Sequence, residues 1–234
     1  YCGLAEASDL SDVTTIDLEL CDDGEPTADQ LVKLAKTCEE AALNVDGVTN
    51  SEGAEANWSR SEIVLVASNG FSGGYAVSRN GISVAVLAGE GTAMERDYEF
   101  SSAIFAADLE DAADTGRKAG ERTVSRLNPR KAPTANVPVV YDPRVSAGLV
   151  RHFAAAINGA AIARGTSFLK DAMGDAVFAE GINIVDDPHR VRGLGSKPFD
   201  AEGIGNSVMK LIDSGRLTSW ILDLQSARQL GLKS

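Results

Sequence analysis

Apolar positions recur every three or four residues over 31–42, near the start of the chain. Thr27 precedes this series, and Gln30 follows three residues later, which is the capping-box spacing at the start of a helix. The period predicts an amphipathic helix that ends near Asn44. The acidic, turn-rich residues 1–24 are predicted to cross the surface in an extended form.

Alternating polar and apolar residues then predict β-strands joined by tight turns. The predicted strand segments are 48–54, which leads through 57–60 into 62–67, and then 71–78 and 82–87. Turns are expected at Ser68–Gly70 and at Arg79–Gly81, the second of a type that requires positive φ. Consecutive strands joined by tight turns predict an antiparallel meander. The alternation of Tyr98 and Phe100 predicts a fourth strand.

A second helix is predicted over about 108–127, with Asn128-Pro129 at its end. Three prolines fall within 129–138, a composition typical of a linker. This stretch is the predicted boundary between a domain of residues 1–130 and a domain of residues 131–234.

The second domain is predicted to begin with a short buried strand at 137–141. A long helix should follow from Pro143 to about Ala163, and its small apolar residues surround the whole circumference, which is typical of a buried helix. The later expected elements are a helix at 167–173, a strand at 182–185, a loop at 186–196, and two helices after residue 204 separated by a turn at Ser214–Gly215. The fold class is therefore α+β, with an N-terminal α/β domain that contains the meander and the start of a second, mixed α/β domain.

The charge balance excludes some classes of function. A formal net charge of −12 repels phosphate backbones, and no face is dense in Lys and Arg, so direct binding of DNA or RNA is not expected. No apolar run approaches the ~20 residues of a membrane-spanning helix. Cys2, Cys21 and Cys38 have no CxxC spacing and no His or basic cluster beside them in sequence, so they are interpreted as packing residues in a reducing compartment.

The two histidines, His152 and His189, do not form a metal-binding pair at helical spacing. His152 is interpreted as a residue of a helix surface or an interface, and His189 as part of a polar loop. Asp186, Asp187 and His189 have the ligand types of a divalent-cation site, but such short clusters are more typical of solvated turns.

Three further motifs have both a chemical and a structural interpretation. Gly193-Leu-Gly195 lacks the Lys-Ser/Thr ending of a phosphate-binding loop. Ser167 lacks the Gly-x-Ser-x-Gly context of a nucleophile and is expected to start a helix. Asp200 and Glu202 form either a carboxylate pair for acid and base catalysis or a tight turn that caps the helix predicted to follow it.

A series of short motifs, taken together, resembles the TldD/PmbA family, and specifically its PmbA (TldE) branch. The motifs are Asn50–Gly53, Asn69–Tyr75, Asp97–Tyr98, Gly116–Ala119, Leu127–Lys131, Pro138–Pro143, Gly165–Leu169, Asp186–Pro188, Gly193, Phe199–Gly203 and Ser226–Arg228. None of them is specific alone, whereas their order and spacing extend over nearly the whole chain.

The resemblance implies a two-domain cytosolic protein of a system in which a metal-bearing TldD subunit pairs with a PmbA/TldE subunit. The family's peptidase subunit has a zinc-binding H-E-x-x-x-H helix. The corresponding helix here has His152, but Phe153 replaces the glutamate and Ile157 replaces the second histidine. The resemblance therefore implies no catalytic, cofactor-binding or metal-ligating residue in this chain, and zinc is expected in a TldD-type partner. The family's proteins are longer at both ends, so a β-rich C-terminal part is expected to be missing from this sequence.

The leading hypothesis is a cytoplasmic interaction subunit that pairs with a TldD-type metallopeptidase subunit, or with a second copy of itself, in peptide processing. Two alternatives remain open. One is an autonomous hydrolase that uses Asp200, Glu202 and His189, and the other is a peptide-binding homodimer without catalysis. Relatives in this family are also called modulators of DNA gyrase, and the net charge indicates that any such effect is indirect.

Overall fold

The computed structural model describes residues 3–12 and 16–233. Helix α1 comprises Ala28–Leu43. The predicted capping box is confirmed, because the Thr27 N–H donates to Gln30 Oε1 at 2.7 Å and the Gln30 N–H donates to Thr27 Oγ1 at 3.3 Å. The helix ends at Asn44, as the pattern predicts.

A three-stranded antiparallel sheet follows, in the order β1-β2-β3. Its strands are β1 (Val48–Val66), β2 (Ser72–Ala88) and β3 (Glu95–Ala103). The predicted meander is confirmed. The segments predicted at 48–54 and 62–67 both belong to β1, and those predicted at 71–78 and 82–87 both belong to β2. The strand predicted as the fourth is therefore β3.

The turn predicted at Arg79–Gly81 is wrong, because this segment is the middle of β2. Asn80 pairs with Trp58 of β1 on one side and with Ala103 of β3 on the other. The buried Asn80 side chain also donates to the Ile104 carbonyl at 2.8 Å. Pairing on both sides overrides the local turn preference of Asn-Gly.

Two helices cover one face of this sheet. Helix α2 (Ala112–Ser125) begins after Asp111, whose carboxylate accepts the N–H groups of Ala113 and Asp114, so the predicted second helix is confirmed with a slightly later start. Helices α1 and α2 pack closely, since a Cβ at Gly116 would overlap the Cys38 carbonyl oxygen. The first core consists of Cys38, Ala42, Ile82, Val84, Val86, Ala112 and Ala119.

The segment after α2 differs from prediction. Residues 137–141 form no strand, and the side chains of this stretch are exposed, up to 93% at Val140. A strand needs a neighbour for its backbone, and the described residues provide none beside it. The domain boundary at residue 130 stays a prediction.

The long predicted helix is divided into α3 (Pro143–Ala156) and α4 (Gly159–Ala163). Asn158 causes the break, because its side chain caps α4 by accepting the Ala160 N–H at 3.1 Å. Burial of this helix is predicted against its own domain or against a partner chain; the single chain buries only one side of α3, and burial of the outer side by a partner stays a prediction. Only Phe153 and Ala156 of α3 are buried, since no described layer covers its outer side.

The C-terminal part, residues 164–233, contains a small antiparallel sheet and one helix. The elements are β4 (Ile184–Asp186), β5 (Met209–Asp213), β6 (Arg216–Leu217) and α5 (Leu224–Leu230). The strand predicted at 182–185 is confirmed as β4, and Ser214–Gly215 is a turn as predicted, between β5 and β6.

The helix predicted directly after residue 204 is wrong, because 209–213 is strand β5. The helix at 167–173 is also wrong, and turns take its place. Residues 209–213 are too short an apolar run to show a helical or a strand period. Their pairing with β4 and β6 determines that they form a strand. The second core consists of Phe153, Ile157, Ile162, Leu211, Ile212, Leu217 and Trp220.

The N-terminal segment joins the two parts of the structure. Its described residues before α1, 3–12 and 16–27, are mostly extended, as predicted, but Ala5, Leu18 and Leu20 are buried. The rest of the predicted crossing, residues 1–2 and 13–15, lies outside the described residues. The Leu20 carbonyl accepts the Ser78 N–H of β2 at 2.9 Å, and the Leu18 carbonyl accepts the N–H of Arg192 in the C-terminal part at 2.8 Å. No helix among the described residues is long and apolar enough to cross a bilayer.

Candidate functional site

Helix α3 presents His152 to solvent and turns the neighbouring positions into the core. His152 is exposed, whereas Phe153 is 7% exposed and Ile157, just after the helix, is fully buried. The Phe153 ring packs edge-on against Phe178 with 5.2 Å between centroids. The two positions where the resemblance requires a glutamate and a second histidine are therefore apolar core positions.

These residues do not fit a zinc ion. Imidazole, thiolate and carboxylate groups are the usual zinc ligands. Within residues 3–12 and 16–233, no group of three or more His, Cys, Asp or Glu side chains is arranged to hold a metal ion. No chemical step in this chain is therefore assigned to a metal.

The cluster Asp186, Asp187 and His189 lies at the end of β4 and in the loop that follows it. Asp187 Oδ1 accepts the His189 N–H at 3.0 Å. His189 Nε2 lies 2.7 Å from Asn206 Oδ1, and Asn206 Nδ2 donates to the Lys197 carbonyl at 2.9 Å. The interpretation of His189 as a loop residue is confirmed by these contacts.

Asp200 and Glu202 have structural hydrogen bonds. Asp200 Oδ1 accepts the N–H groups of Glu202 and Ile204, both at 2.9 Å, and so closes a turn. Glu202 Oε2 accepts the N–H of Leu224, the first residue of α5, at 2.9 Å. The interpretation as a tight turn is confirmed at Asp200. The predicted cap of the following helix is not found, because no helix follows at 204, and Glu202 caps the distant helix α5 instead.

Ser167 also has a structural role, although no helix starts there. Its Oγ donates to the Ala156 carbonyl at 2.6 Å and accepts the Leu169 N–H at 3.0 Å. The N–H groups of the glycine-containing loop are similarly used, since Gly193 donates to the Arg190 carbonyl at 3.0 Å and Ser196 to the Gly193 carbonyl at 3.0 Å. An anion would find few free N–H donors there.

The described cysteines, Cys21 and Cys38, form no disulfide, while Cys2 lies outside the described residues. Cys38 belongs to the first core, and burial, followed by the charge of Glu39, raises the pKa of its thiol to about 11. A thiol with that pKa stays protonated at neutral pH and is a poor nucleophile.

A charge cluster that sequence reasoning missed connects α3 to the sheet. Asp97 of β3 is 6% exposed, and its carboxylate accepts from Arg144 Nη1 at 3.0 Å and from Arg144 Nη2 at 3.3 Å. Arg126 Nη1 lies 3.4 Å from Asp97 Oδ2. Burial opposes the charge of Asp97, but hydrogen bonds from Arg144 and the Tyr98 N–H, with the charges of both arginines, lower its pKa.

The alternation along β3 is the sequence signal for this cluster. Tyr98 and Phe100 face outward and are half exposed, so the acidic residues between and before them, Asp97 and Glu99, must face α2. Glu99 is paired there with Arg122 of α2. Arg144 comes from beyond the predicted linker, and no local pattern relates it to Asp97.

A cleft of about 890 Å³ lies between the end of β3 and the C-terminal part. Its walls are formed by residues 102–104, by the 185–197 segment and by residues near 204–209 and 221–222. Asp108, Asp186, Asp187, Arg190, Arg192, Lys197 and Asp200 are its charged lining residues. Of the candidate residues from the sequence, Asp186, Asp187 and Asp200 thus line one cleft, whereas His189 and Glu202 are not among its lining residues.

Family models match most of this chain. The model described as the PmbA/TldA metallopeptidase central domain matches residues 21–127, and the PmbA/TldA metallopeptidase C-terminal domain matches residues 134–234. Metalloprotease PmbA of Escherichia coli O157:H7 is 38% identical over 93% of this chain and 49% of its own length. A PmbA homolog from Haemophilus influenzae is 35% identical over 99% of this chain and 51% of its own length. The chain spans about half the length of these relatives.

Solved structures have the same fold. A protein from Bacteroides thetaiotaomicron that is described as a proposed modulator of DNA gyrase superposes with a TM-score of 0.93, at 27% identity, over 99% of this chain and 53% of that one. TldE from Thermococcus kodakarensis superposes with a TM-score of 0.81, at 21% identity, over 100% of this chain and 52% of that one. The likeness to TldE, at this identity, is one of fold alone.

Proposed function

Because this chain belongs to the PmbA/TldD metallopeptidase family, we propose that it is part of the non-catalytic subunit of a peptide-processing metallopeptidase system. The observation that carries the proposal is the environment of Phe153 and Ile157. Both are buried in the second core, so no side chain on this helix joins His152 as a metal ligand or serves as a general base. Activation of a water molecule by a metal requires such groups.

The proposed partner is a TldD-type subunit that holds zinc, with a second copy of this chain as the alternative. The exposed apolar side chains of α3 support pairing, since Val145, Leu149 and Val150 are each about half exposed. Exposed apolar patches of this kind are typical of interaction surfaces. The net charge of −12 disfavours direct binding to nucleic acid. We also propose that the protein is cytoplasmic.

The experiment that tests this proposal is a pull-down of the full-length protein followed by peptidase assays. We expect a metal-bearing relative to be recovered, and proteolysis of an unfolded peptide to occur only when that relative is present. Treatment of the recovered partner alone with a chelator should abolish the activity. Chelator-sensitive proteolysis by the full-length protein without a partner would contradict the proposal.

A further inference from the structure

The cleft between β3 and the C-terminal part contains charged side chains that the fold does not use. Arg192 pairs with Glu19 and Asp108, Asp200 closes its turn, and Asp187 accepts a backbone N–H. Within the described part of the chain, the side chains of Asp186, Arg190 and Lys197 have no hydrogen bond or ion pair. Two cations therefore remain available in the wall of a cavity, in a chain whose net charge is −12.

The segment that contains these cations is held in place on several sides. Arg192 pairs with two carboxylates and its guanidinium lies 3.9 Å from the centre of the Phe105 ring. Arg79 of β2 donates to the Leu194 carbonyl. The Lys197 N–H donates to the Pro188 carbonyl at 3.1 Å, which closes the loop that carries Arg190. The backbone of the segment is preorganised by these contacts, and the ordering needed on binding falls on the Arg190 and Lys197 side chains.

The remaining lining indicates which anion the cleft suits. Apolar side chains of Val185, Leu194, Met209 and Leu222 line it next to the cations. Four carboxylates, among them Asp186, line the same cleft and would repel a phosphate dianion more strongly than a monoanion. A carboxylate attached to an apolar side chain matches both features.

We propose that this cleft binds the C-terminal carboxylate of a peptide, with Arg190 and Lys197 as donors and the apolar wall around the last side chain. This inference rests on the proposed role in peptide processing, for which it would make the non-catalytic subunit a site of substrate capture. Asp186 supplies an acceptor for a peptide N–H. Lys and Arg form charge-assisted hydrogen bonds with carboxylates, which are stronger than neutral ones.

The test measures binding of an acetylated hexapeptide ending in leucine, as the free acid and as the C-terminal amide. On the full-length protein at low salt, we expect the acid to bind about tenfold more tightly than the amide. In Arg190→Gln/Lys197→Gln, the two peptides should bind alike. The control Arg164→Gln/Lys170→Gln removes two exposed cations outside the cleft and should keep the tenfold ratio.

Equal binding of acid and amide, or a ratio that persists in Arg190→Gln/Lys197→Gln, would overturn the proposal. A third peptide, amidated and ending in glutamate, separates a terminal carboxylate from a side-chain one. If it binds as well as the free acid, recognition of the C-terminus is wrong. Because binding is measured without proteolysis, a failure of partner-dependent peptidase activity would remove the proposed function and leave the acid-to-amide ratio unchanged.

Discussion

At the scale of single residues, Asp97 is the group whose charge depends most clearly on the fold. Its carboxylate is almost enclosed, and Arg144 and Arg126 compensate it. Arg144 also donates to the Tyr98 carbonyl at 2.8 Å, so one guanidinium fixes the start of α3 against β3. A buried carboxylate deprived of such partners would be strongly destabilising.

Replacement of Asp97 by Asn should lower the free energy of unfolding at pH 7 by about 2–3 kcal/mol, less than for a fully buried pair because Arg144 stays partly hydrated. The fold lowers the pKa of Asp97 below its ordinary value of 3.8. Its contribution is therefore present above that pH and is lost as the pH falls through the folded-state pKa. Urea unfolding at pH 7 and below pH 3.8 should show a difference between wild type and Asp97→Asn that shrinks at acid pH.

The control is Asp114→Asn, which removes an exposed ion pair with Arg117 on α2. It should change stability by less than about 1 kcal/mol. A pH-independent difference between wild type and Asp97→Asn, or an Asp97→Asn cost no larger than that of the control, would contradict the role given to the cluster.

At the scale of elements, the contact between α1 and α2 depends on glycines. A Cβ at Gly120 would lie 2.6 Å from Val45 Cγ2 and 2.9 Å from the Ala42 carbonyl oxygen, and one at Gly116 would overlap the Cys38 carbonyl. Close backbone approach of two helices requires positions without a side chain. The two glycines therefore set the helix spacing over the sheet.

Gly116→Ala should cost about 1–3 kcal/mol, because the helices must move apart. Gly148→Ala is the matched control, since a Cβ there has nothing within 4 Å and the position is inside α3. That control should stabilise the protein by about 0.5–1 kcal/mol, because Gly costs more backbone entropy in a helix than Ala. Thermal unfolding of both variants gives the comparison, and equal changes of the same sign would show that packing is not the cause.

The last two residues of α3, Ala155 and Ala156, lie on its exposed and its buried side respectively. Ala156 is buried, so Ala156→Leu should overpack the second core and cost about 1–3 kcal/mol. Ala155, which the apolar pattern alone also predicts to be tightly packed, is exposed, and Ala155→Leu should be nearly neutral in this chain. Denaturant midpoints of the two variants measure the difference, and a large loss with Ala155→Leu would indicate that a further layer covers this side.

The sequence predicts correctly the elements that adjacent residues determine, and it misassigns those that distant pairing partners determine. The Thr27 capping box and the Pro143 helix start are encoded in adjacent residues, and both are found. The segments 79–81 and 209–213 are decided by distant strands, so local preference misassigns them. At the candidate site, the turn at Asp200 follows from adjacent residues. The Glu202–Leu224 contact joins residues 22 positions apart, and the Asp97–Arg144 contact joins residues 47 positions apart.

At the scale of the whole molecule, apolar residues remain exposed on one side. The segment before α3 has four apolar side chains that are at least half exposed: Val137, Val139, Val140 and Tyr141. The apolar side chains on the outer face of α3 are also about half exposed. The chain spans about half the length of its relatives. This surface is where we expect the proposed pairing to bury apolar area.

His152→Ala should leave the peptidase rate of a reconstituted complex nearly unchanged. His152 is exposed on α3, and its neighbours in the core supply neither a base nor a second ligand. The assay compares kcat/KM of the complex with wild-type and variant chains, with pairing and thermal stability measured in parallel. A large fall in rate with pairing and stability intact would show that His152 takes part in catalysis.

The most direct test of the central claim is the metal content of the purified protein. The described His, Cys, Asp and Glu residues do not assemble a site, and Phe153 on α3 and Ile157 just after it are core residues at the positions where a base and a ligand would be needed. Elemental analysis after gel filtration in zinc-containing buffer should find no stoichiometric zinc in this chain. About one zinc per chain, lost in His152→Ala, would contradict the assignment of a non-catalytic role.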